Sequence, residues 1–393
     1  MRAPLAALVG LLGALLLGMW LGGHSTFLPE PLRDVVRSDD QQVVDDAVAK
    51  IKDDYYRKIP GDELSNEAIR GMVTGLDDRF SAYFDPKEYR EYREQSDARF
   101  SGVGMNVQAV KRGLQITHVY DKSPAKSGGL RTGDVLTAAD GVSLAGKTAE
   151  FGSARIKGES GTKVRLTYER GGKKRDVELT RAQVSVPVVA SEIERRGGKK
   201  YAVIRLSTFS SGAHGEVAAA VRKAVEKEKV AGIVFDLRRN GGGLVDEARL
   251  IASAFIRDGK IVTTKGRAVP ERVYRATGKP VAPDTPLVVL VDRGTASASE
   301  IVAGALQDTK RARIVGTRTF GKGVFQEVVE LQNGGALDIT VGQYFLPSGR
   351  NLGGKGTKTG SGLTPDVKAQ DKASTPRVDE GVDAAVKALA TTP

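Results

Sequence analysis

The apolar positions divide the chain into stretches of different period. Arg2 is followed by an almost uninterrupted apolar run from Ala3 to Leu21, about 28 Å long as a helix, which matches a bilayer's hydrocarbon core. A cleaved secretory segment has a shorter core and an A-x-A-like exit, and Leu21-Gly22-Gly23-His24 supplies only a weak one. Residues 1–23 are therefore expected to be a signal peptide or, in preference, an uncleaved membrane anchor, with the body outside the cytoplasm. After Pro29 and Pro31, apolar residues recur at helical spacing, as in Val44, Val48, Ile51 and Tyr55, then Ile69, Met72, Val73 and Leu76. This pattern predicts two or three charged helices over 41–95, within a linker and N-terminal helical region spanning 24–97.

Around Phe100 the texture changes to short strands punctuated by glycine turns: Gly102 to Val107, Leu114 to Val119, Asp134 to Leu136 and Lys163 to Tyr168. Regular turn spacing of this sort predicts a small β-rich domain over 98–182. From Val184, buried-type strands (Tyr201 to Leu206, Ile233 to Leu237, Leu287 to Val291, Arg313 to Val315) alternate with helical segments (Gly215 to Glu228, Val245 to Phe255, Ser297 to Gln307). That alternation belongs to an α/β core, placed at 183–350 and closed by a hairpin of Val324 to Leu331 and Ala336 to Tyr344 around Asn333-Gly334. Residues 351–393 read as a loose Gly/Lys/Thr/Pro-rich tail ending in an amphipathic helix over Val382 to Leu389. The whole is an α+β multidomain chain.

With 393 residues the chain is too long for a single core. It has no cysteine, which excludes a disulfide framework, a thiol nucleophile and a Cys-ligated metal. Of three histidines, His24 lies in the leader, His118 alternates within a strand, and His214 alone sits in a plausible loop. Covalent chemistry must then come from Ser, Thr, Lys or a carboxylate. The net charge is +12, and residues 98–182 carry 16 Lys/Arg against 8 Asp/Glu. No aromatic-basic interleaving accompanies that excess, so nucleic acid is not the expected partner.

Four segments carry candidate chemistry. In Gly294-Thr295-Ala296-Ser297-Ala298-Ser299-Glu300, Ser297-x-x-Glu300 is a capping box; small neighbours and a helix start beside the hydroxyl also suit a nucleophile with an oxyanion site. Gly316 to Gly323 approaches a Walker A pattern but ends in Gly323, without the magnesium-binding hydroxyl, and continues into a strand. What remains there is Lys322 between two glycines and beside Phe320, Val324 and Phe325, where burial would make it a neutral base; an ordinary turn lysine is the competing reading. Asp236 to Leu244 carries three glycines between a strand and a helix, which either relax a turn or aim a backbone N–H at substrate. Ser123-Pro124-Ala125-Lys126 fits S-x-x-K but lies in a turn of the small β domain.

Together with Phe100-Ser101-Gly102-Val103-Gly104, Ser123 to Asp134 and Thr319 to Gln326, these segments resemble the carboxyl-terminal processing peptidases, or tail-specific proteases. The resemblance implies an α/β Clp-protease/crotonase-like peptidase core, a β-rich PDZ domain before it and an N-terminal helical segment. It assigns Ser297 as nucleophile, Lys322 as general base and Gln326 as the group orienting the lysine. Four residues of straight strand would separate Lys322 and Gln326 by about 13 Å, so the glycines around Lys322 must bend the chain. The implied oxyanion donors are the N–H of Ala298 with that of Gly243 or Gly242; relatives commonly have Pro at Gly241. Ser101, Gly102, Val103 and Gly104 would bind a substrate's C-terminal carboxylate, the tail adding as an extra strand. Lys157 stands where relatives often have Arg, keeping the charge without the bidentate geometry.

The expected activity is that of a serine endopeptidase in the cell envelope, periplasmic or on the outer face of the inner membrane. It would capture apolar C-terminal tails of envelope or unfolded proteins and hydrolyse peptide bonds through an acyl-enzyme, with no cofactor and no metal. Expected partners are protein or peptide substrates, the membrane through the N-terminal segment, and a second copy through the N- and C-terminal helices. The alternative is a non-catalytic membrane-associated PDZ adaptor on a protease-like scaffold.

Overall fold

A computed structural model describes residues 39–354, 356–357, 360–370 and 379–390. The apolar run over 3–21 lies outside the described residues, among which no helix is long and apolar enough to cross a membrane. The chain forms two compact units, Met1–Asp77 and Asp78–Pro393. The first holds the helices Asp39–Asp54 and Gly61–Thr74, at the positions their periodicity predicts. Of the residues that reveal that periodicity, Val44, Ile51, Tyr55, Met72 and Leu76 are exposed and Val73 is buried.

The second unit opens with a strand that the helical reading of 41–95 concealed. Ala82–Phe84 pairs antiparallel with Ala336–Phe345, setting Ala82 opposite Asp338. The helix Pro86–Ser96 follows. Asp85 caps it by accepting the N–H groups of Lys87 and Glu88, while Glu88 accepts the Asp85 N–H at 2.9 Å, a capping box with Pro at the first helical turn.

The small β domain is a six-stranded sheet of the strands Met105–Val110, Gly113–Val119, Val135–Ala139, Lys163–Arg170 and Lys173–Thr180, with Val142–Ser143 on its side. Leu114, Ile116, Leu136 and Leu166 fill its core. The helices Pro124–Ser127 and Ala149–Ile156 begin on Ser123 and Thr148, both extended N-caps whose hydroxyls accept a backbone N–H. Buried Arg181 donates to the carbonyls of Arg155 and Ile156, satisfying the open end of the second helix.

The α/β core is built on a sheet in the order Val189–Arg196, Lys199–Leu206, Gly232–Asp236, Leu287–Val291, Arg313–Gly316, Val367–Lys368. The first pair is antiparallel and the rest are parallel. Parallel strands covered on both faces read as continuous apolar runs, and these do. Ala202, Ile204, Ile233, Phe235 and Val289 face the helices Ala213–Arg222, Val245–Ala252 and Ala298–Asp308. The alternate residues Tyr201, Val203, Val234, Val288 and Leu290 face the C-terminal helix Glu380–Ala390. That helix spends its apolar face, Val382, Ala385, Val386 and Leu389, inside its own chain. A second sheet joins Val324–Glu330, Ala336–Phe345, Lys260–Gly266 and Arg272–Arg275 to Ala82–Phe84.

Residues 351–354 and 360–370 are not the loose tail their composition suggests. Leu352 and Leu363 are buried in the main core, and Val367–Lys368 adds a strand to the sheet. Single apolar residues spaced by glycines carry no period, so their burial left no pattern to read. Truncation of Leu363 to Ala should leave a cavity and cost about 3 kcal/mol; chemical denaturation of Leu363→Ala will show a lowered midpoint with an unchanged slope if this segment folds with the core.

Candidate active site

The site begins where two parallel strands end side by side. After Gly232–Asp236 the chain passes through Asn240 and the glycines; after Leu287–Val291 it turns through Thr295 into the helix Ala298–Asp308. Asn240 clamps the two turns together. Its carbonyl accepts the Ala296 N–H at 3.0 Å and the Ser299 hydroxyl at 2.9 Å, and its amide donates to the Leu206 carbonyl at 2.9 Å. Thr295 adds a hydroxyl bond of 2.8 Å to the Leu237 carbonyl.

Ser297 has φ +54° and ψ −118°. An ordinary serine cap is extended, as Ser123 is with φ −91° and ψ 158°, so helix capping does not account for this backbone. A non-glycine residue held in such a region costs on the order of 1–3 kcal/mol and persists where its surroundings over-determine it. Gly242 is one such surrounding. A Cβ there would come within 2.8 Å of Ser297 Cβ and 2.9 Å of the Ala298 nitrogen, so only glycine lets the two turns approach. The Gly242 N–H is committed to Asn240 Oδ1 at 2.9 Å. Among the described residues the N–H groups of Gly243 and Ala298 find no acceptor. Nothing lies within 4 Å of a Cβ built on Gly241, so packing does not demand glycine there.

Glu300 ties the serine turn to the lysine turn. Fully buried, it accepts the Ser297 N–H and the Lys322 N–H on Oε2, both at 3.0 Å. Oε1 accepts the Gly321 N–H at 2.8 Å and the Thr319 hydroxyl at 2.6 Å. Burial pushes its carboxyl above the usual range, opposed by these four donors. In the sequence Glu300 reads only as the third residue of a capping box; its reach across to residues 319–322 had no local signal.

Lys322 lies between glycines that close packing requires. A Cβ on Gly321 would meet the Gly362 nitrogen at 2.7 Å, and one on Gly323 the Asn351 Oδ1 at 2.2 Å. Gly321 takes φ +87°, and the pairing of the following hairpin shifts register between Phe325 and Gln326. Of these two irregularities the register shift lies between the pair and supplies the bend that a straight strand lacks: Lys322 Nζ donates to Gln326 Oε1 at 2.6 Å. Phe80 packs its ring 5.0 Å from Nζ and meets Phe320 edge to face. Burial depresses the Lys322 pKa, while Asp338, Asp78 and Glu300 oppose the shift. Burial in turn raises the Asp338 carboxyl to about 6, against the pull of Lys322. Asp338, Asp78 and Phe80 escaped the sequence reading; Asp338 and Thr340 alternate with Leu337, Ile339 and Val341 in a segment read only as one arm of a hairpin. Among the described residues Ser297 Oγ and Lys322 Nζ share no hydrogen bond.

In the small domain, Ser101 donates its hydroxyl to the Gly158 carbonyl at 2.7 Å, and Gly102 is paired with Ala182 in a two-stranded ladder. The N–H groups of Val103 and Gly104 have no acceptor among the described residues. Phe100, Met105, Val107, Tyr120 and Lys157 border a cleft of about 820 Å³ that continues to Val188 and Thr208 of the core. Lys157 pairs with Glu94 at 3.1 Å. His214, read as a loop residue, stands in the first turn of Ala213–Arg222 with Nδ1 2.9 Å from Glu247 Oε2.

A strand-end serine turn tied to a glycine-framed lysine, on an α/β core behind a small six-stranded β domain, belongs to a peptidase fold with a PDZ domain. The chain belongs to peptidase family S41: the family model matches residues 200–369, a PDZ model 101–180, and a model named for the N-terminal domain of the activating protease CtpB 31–88. It is 35% identical over 320 residues to the carboxy-terminal-processing protease of Bartonella bacilliformis, covering 79% of this chain and 71% of that protein. It is 34% identical over 337 residues to the probable CtpA-like serine protease of Staphylococcus saprophyticus, covering 85% of this chain and 66% of that one, so the match spans just under two thirds of that relative's length. Among solved structures, the photosystem II D1 C-terminal processing protease aligns at 31% identity over 86% of this chain and 91% of its own, with a TM-score of 0.48.

Replacing Glu300 by Gln tests the tie. The amide would set an N–H donor against at least one buried backbone N–H, an unmatched pair costing about 1–3 kcal/mol. Glu300→Gln is expected to lower the melting temperature and, because one of the two carboxylate positions then sets donor against donor, to reduce the activity proposed for the site.

Proposed function

We propose that the protein is a serine endopeptidase in which Ser297 is the nucleophile, Lys322 the general base and Gln326 its orienting partner, acting on polypeptides whose apolar C-termini dock on the PDZ domain. The observation that carries this reading is the shared Glu300 carboxylate, which holds the strained serine turn and the partly desolvated lysine to one acceptor. Neutral Lys322 takes the Ser297 proton as Oγ bonds to the scissile carbonyl carbon. The oxyanion is received by the unengaged N–H groups of Ala298 and Gly243, donors positioned where charge develops. The C–N bond then breaks as the Lys322 ammonium returns the proton to the leaving amine. Water, deprotonated by neutral Lys322, attacks the ester, and collapse of that intermediate breaks the C–Oγ bond as the Lys322 ammonium returns the proton to Ser297 Oγ, releasing the new carboxyl terminus.

The free N–H groups of Val103 and Gly104 support capture of the tail carboxylate, and the Phe100, Met105 and Val107 walls support apolar residues before it. The run Ala3 to Leu21 supports an envelope-facing, membrane-anchored enzyme. The exposed apolar residues of Asp39–Asp54 and Gly61–Thr74 favour self-association there over the C-terminal helix, whose apolar face is covered.

Ser297→Ala and Lys322→Ala are each expected to cut hydrolysis of an unfolded, apolar-tailed protein by roughly three or more orders of magnitude. Retention of activity by both would sink the mechanism, and a serine-reactive probe should label the wild type but not Ser297→Ala.

The pH dependence follows from the charges facing the amine. The base must be neutral, so the rate climbs as pH rises through the Lys322 pKa. Asp338 holds the proton on Lys322, and Asp338→Asn is therefore expected to move the acidic limb of the pH–rate profile to lower pH. Because the Asp338 carboxyl is raised to about 6 in the folded protein, its ionisation disfavours the fold, and the stability it contributes is lost as pH rises from about 4 through 6. Thermal melts should find Asp338→Asn stabilised relative to the wild type at pH 8 and not at pH 4.

A further inference from the structure

The Lys322 amine has two close neighbours, and neither is charged. Nζ donates to Gln326 Oε1 at 2.6 Å and stands over the Phe80 ring, 5.0 Å from its centroid. Among the described residues it makes no ion pair. The turn that carries Phe80 is tied down within itself. The Ser81 N–H reaches the Asp78 carbonyl at 3.2 Å, the Phe80 N–H donates to Asp78 Oδ1 at 2.9 Å, and the Ser81 hydroxyl donates to Asp78 Oδ2 at 2.6 Å, so an aspartate side chain closes the turn it begins. The turn is also tied to the hairpin. Ser81 Oγ accepts the Thr340 N–H at 3.0 Å, and Ala82–Phe84 continues as a strand paired with Ala336–Phe345. Phe320 meets the Phe80 ring edge to face with centroids 6.3 Å apart, and the Arg79 guanidinium carbon lies 5.3 Å from both centroids.

A neutral amine carries two N–H groups and one lone pair. Gln326 Oε1 takes the first N–H. The face of an aromatic ring is electron-rich, so it attracts an N–H and repels a lone pair; the second N–H turns toward Phe80, and the lone pair is left pointing away from both neighbours. Once protonated, the ammonium keeps the same two neighbours, with the ring now attracting it as a cation. We infer that Phe80 is a positioning residue for the peptidase reaction: its ring face, held by the Asp78–Ser81 turn, sets with Gln326 the direction of the Lys322 lone pair. The segment ahead of the small β domain thereby completes the surroundings of the base. The inference rests on the assignment of Ser297 and Lys322 above.

Leucine at position 80 keeps the apolar cover and removes the ring face. Phe80→Leu is expected to lower kcat about threefold to thirtyfold, the span of one cation–π contact, with KM unchanged; Phe80→Tyr, which returns a ring, should restore it. The pH profile carries the sign. Without the ring the ammonium loses an attraction, so the Lys322 pKa falls and the acidic limb of the pH–rate profile moves down by about one unit. Phe80→Ala instead admits water, which solvates the ammonium, so the limb moves up. A residue that served only as packing would not give shifts of opposite sign. The charged groups around the amine, Asp78, Arg79, Glu300 and Asp338, are the same in all three variants. A readout independent of turnover is the Lys322 titration followed by NMR of 13C-labelled lysine in the Ser297→Ala background, which should show the same opposite shifts. Wild-type kcat in Phe80→Leu, or a Lys322 titration that does not fall there, would overturn the inference. Ser297→Ala in the same peptidase assay separates that outcome from failure of the underlying mechanism: if it stays active, the assignment of the dyad is at fault, and the NMR titration alone decides the ring contact. Should Phe80→Leu fail to fold by circular dichroism, Phe80→Met carries the same comparison.

Discussion

The Glu300 carboxylate fixes the geometry of the site, because two separate turns share it as their acceptor. Its two oxygens are saturated by the Ser297, Gly321 and Lys322 N–H groups and the Thr319 hydroxyl. Each of those donors is buried or nearly so, and each would be costly to leave unmatched. Moving either turn strands donors on both. Thr319 extends the constraint, since its hydroxyl also accepts the Leu363 N–H at 2.7 Å, which draws the segment beyond residue 350 into the site. The glycines are consequences of the same crowding. Gly242 has to pass Ser297, Gly321 has to pass Gly360 and Gly362, and Gly323 has to pass Asn351 and Gly353.

The electrostatics around Lys322 are a balance rather than a simple depression. Burial behind Phe80 and Phe320 favours the neutral amine, while Asp338, Asp78 and Glu300 favour the ammonium. The proposed mechanism asks one amine both to accept a proton and to return it, and the net direction of these opposed contributions, below the ordinary lysine value, is the one a neutral base requires. The cost falls on Asp338, whose own carboxyl is pushed up to about 6.

The parts of the fold with a period were legible in the sequence. Parallel strands buried on both faces appear as runs such as Leu287 to Val291, and the helices between them follow at the expected spacing. Ser297, Lys322 and the glycine turn were legible because small residues and glycines cluster where chain segments crowd. What was lost has a physical reason in each case. Ala82–Phe84 is three residues long, too short for alternation to stand out beside two real helices. Asp338 and Thr340 occupy the polar phase of an alternating strand, which looks the same whether it faces water or a buried amine. Leu352 and Leu363 lie among glycines and carry no period, although both are core residues.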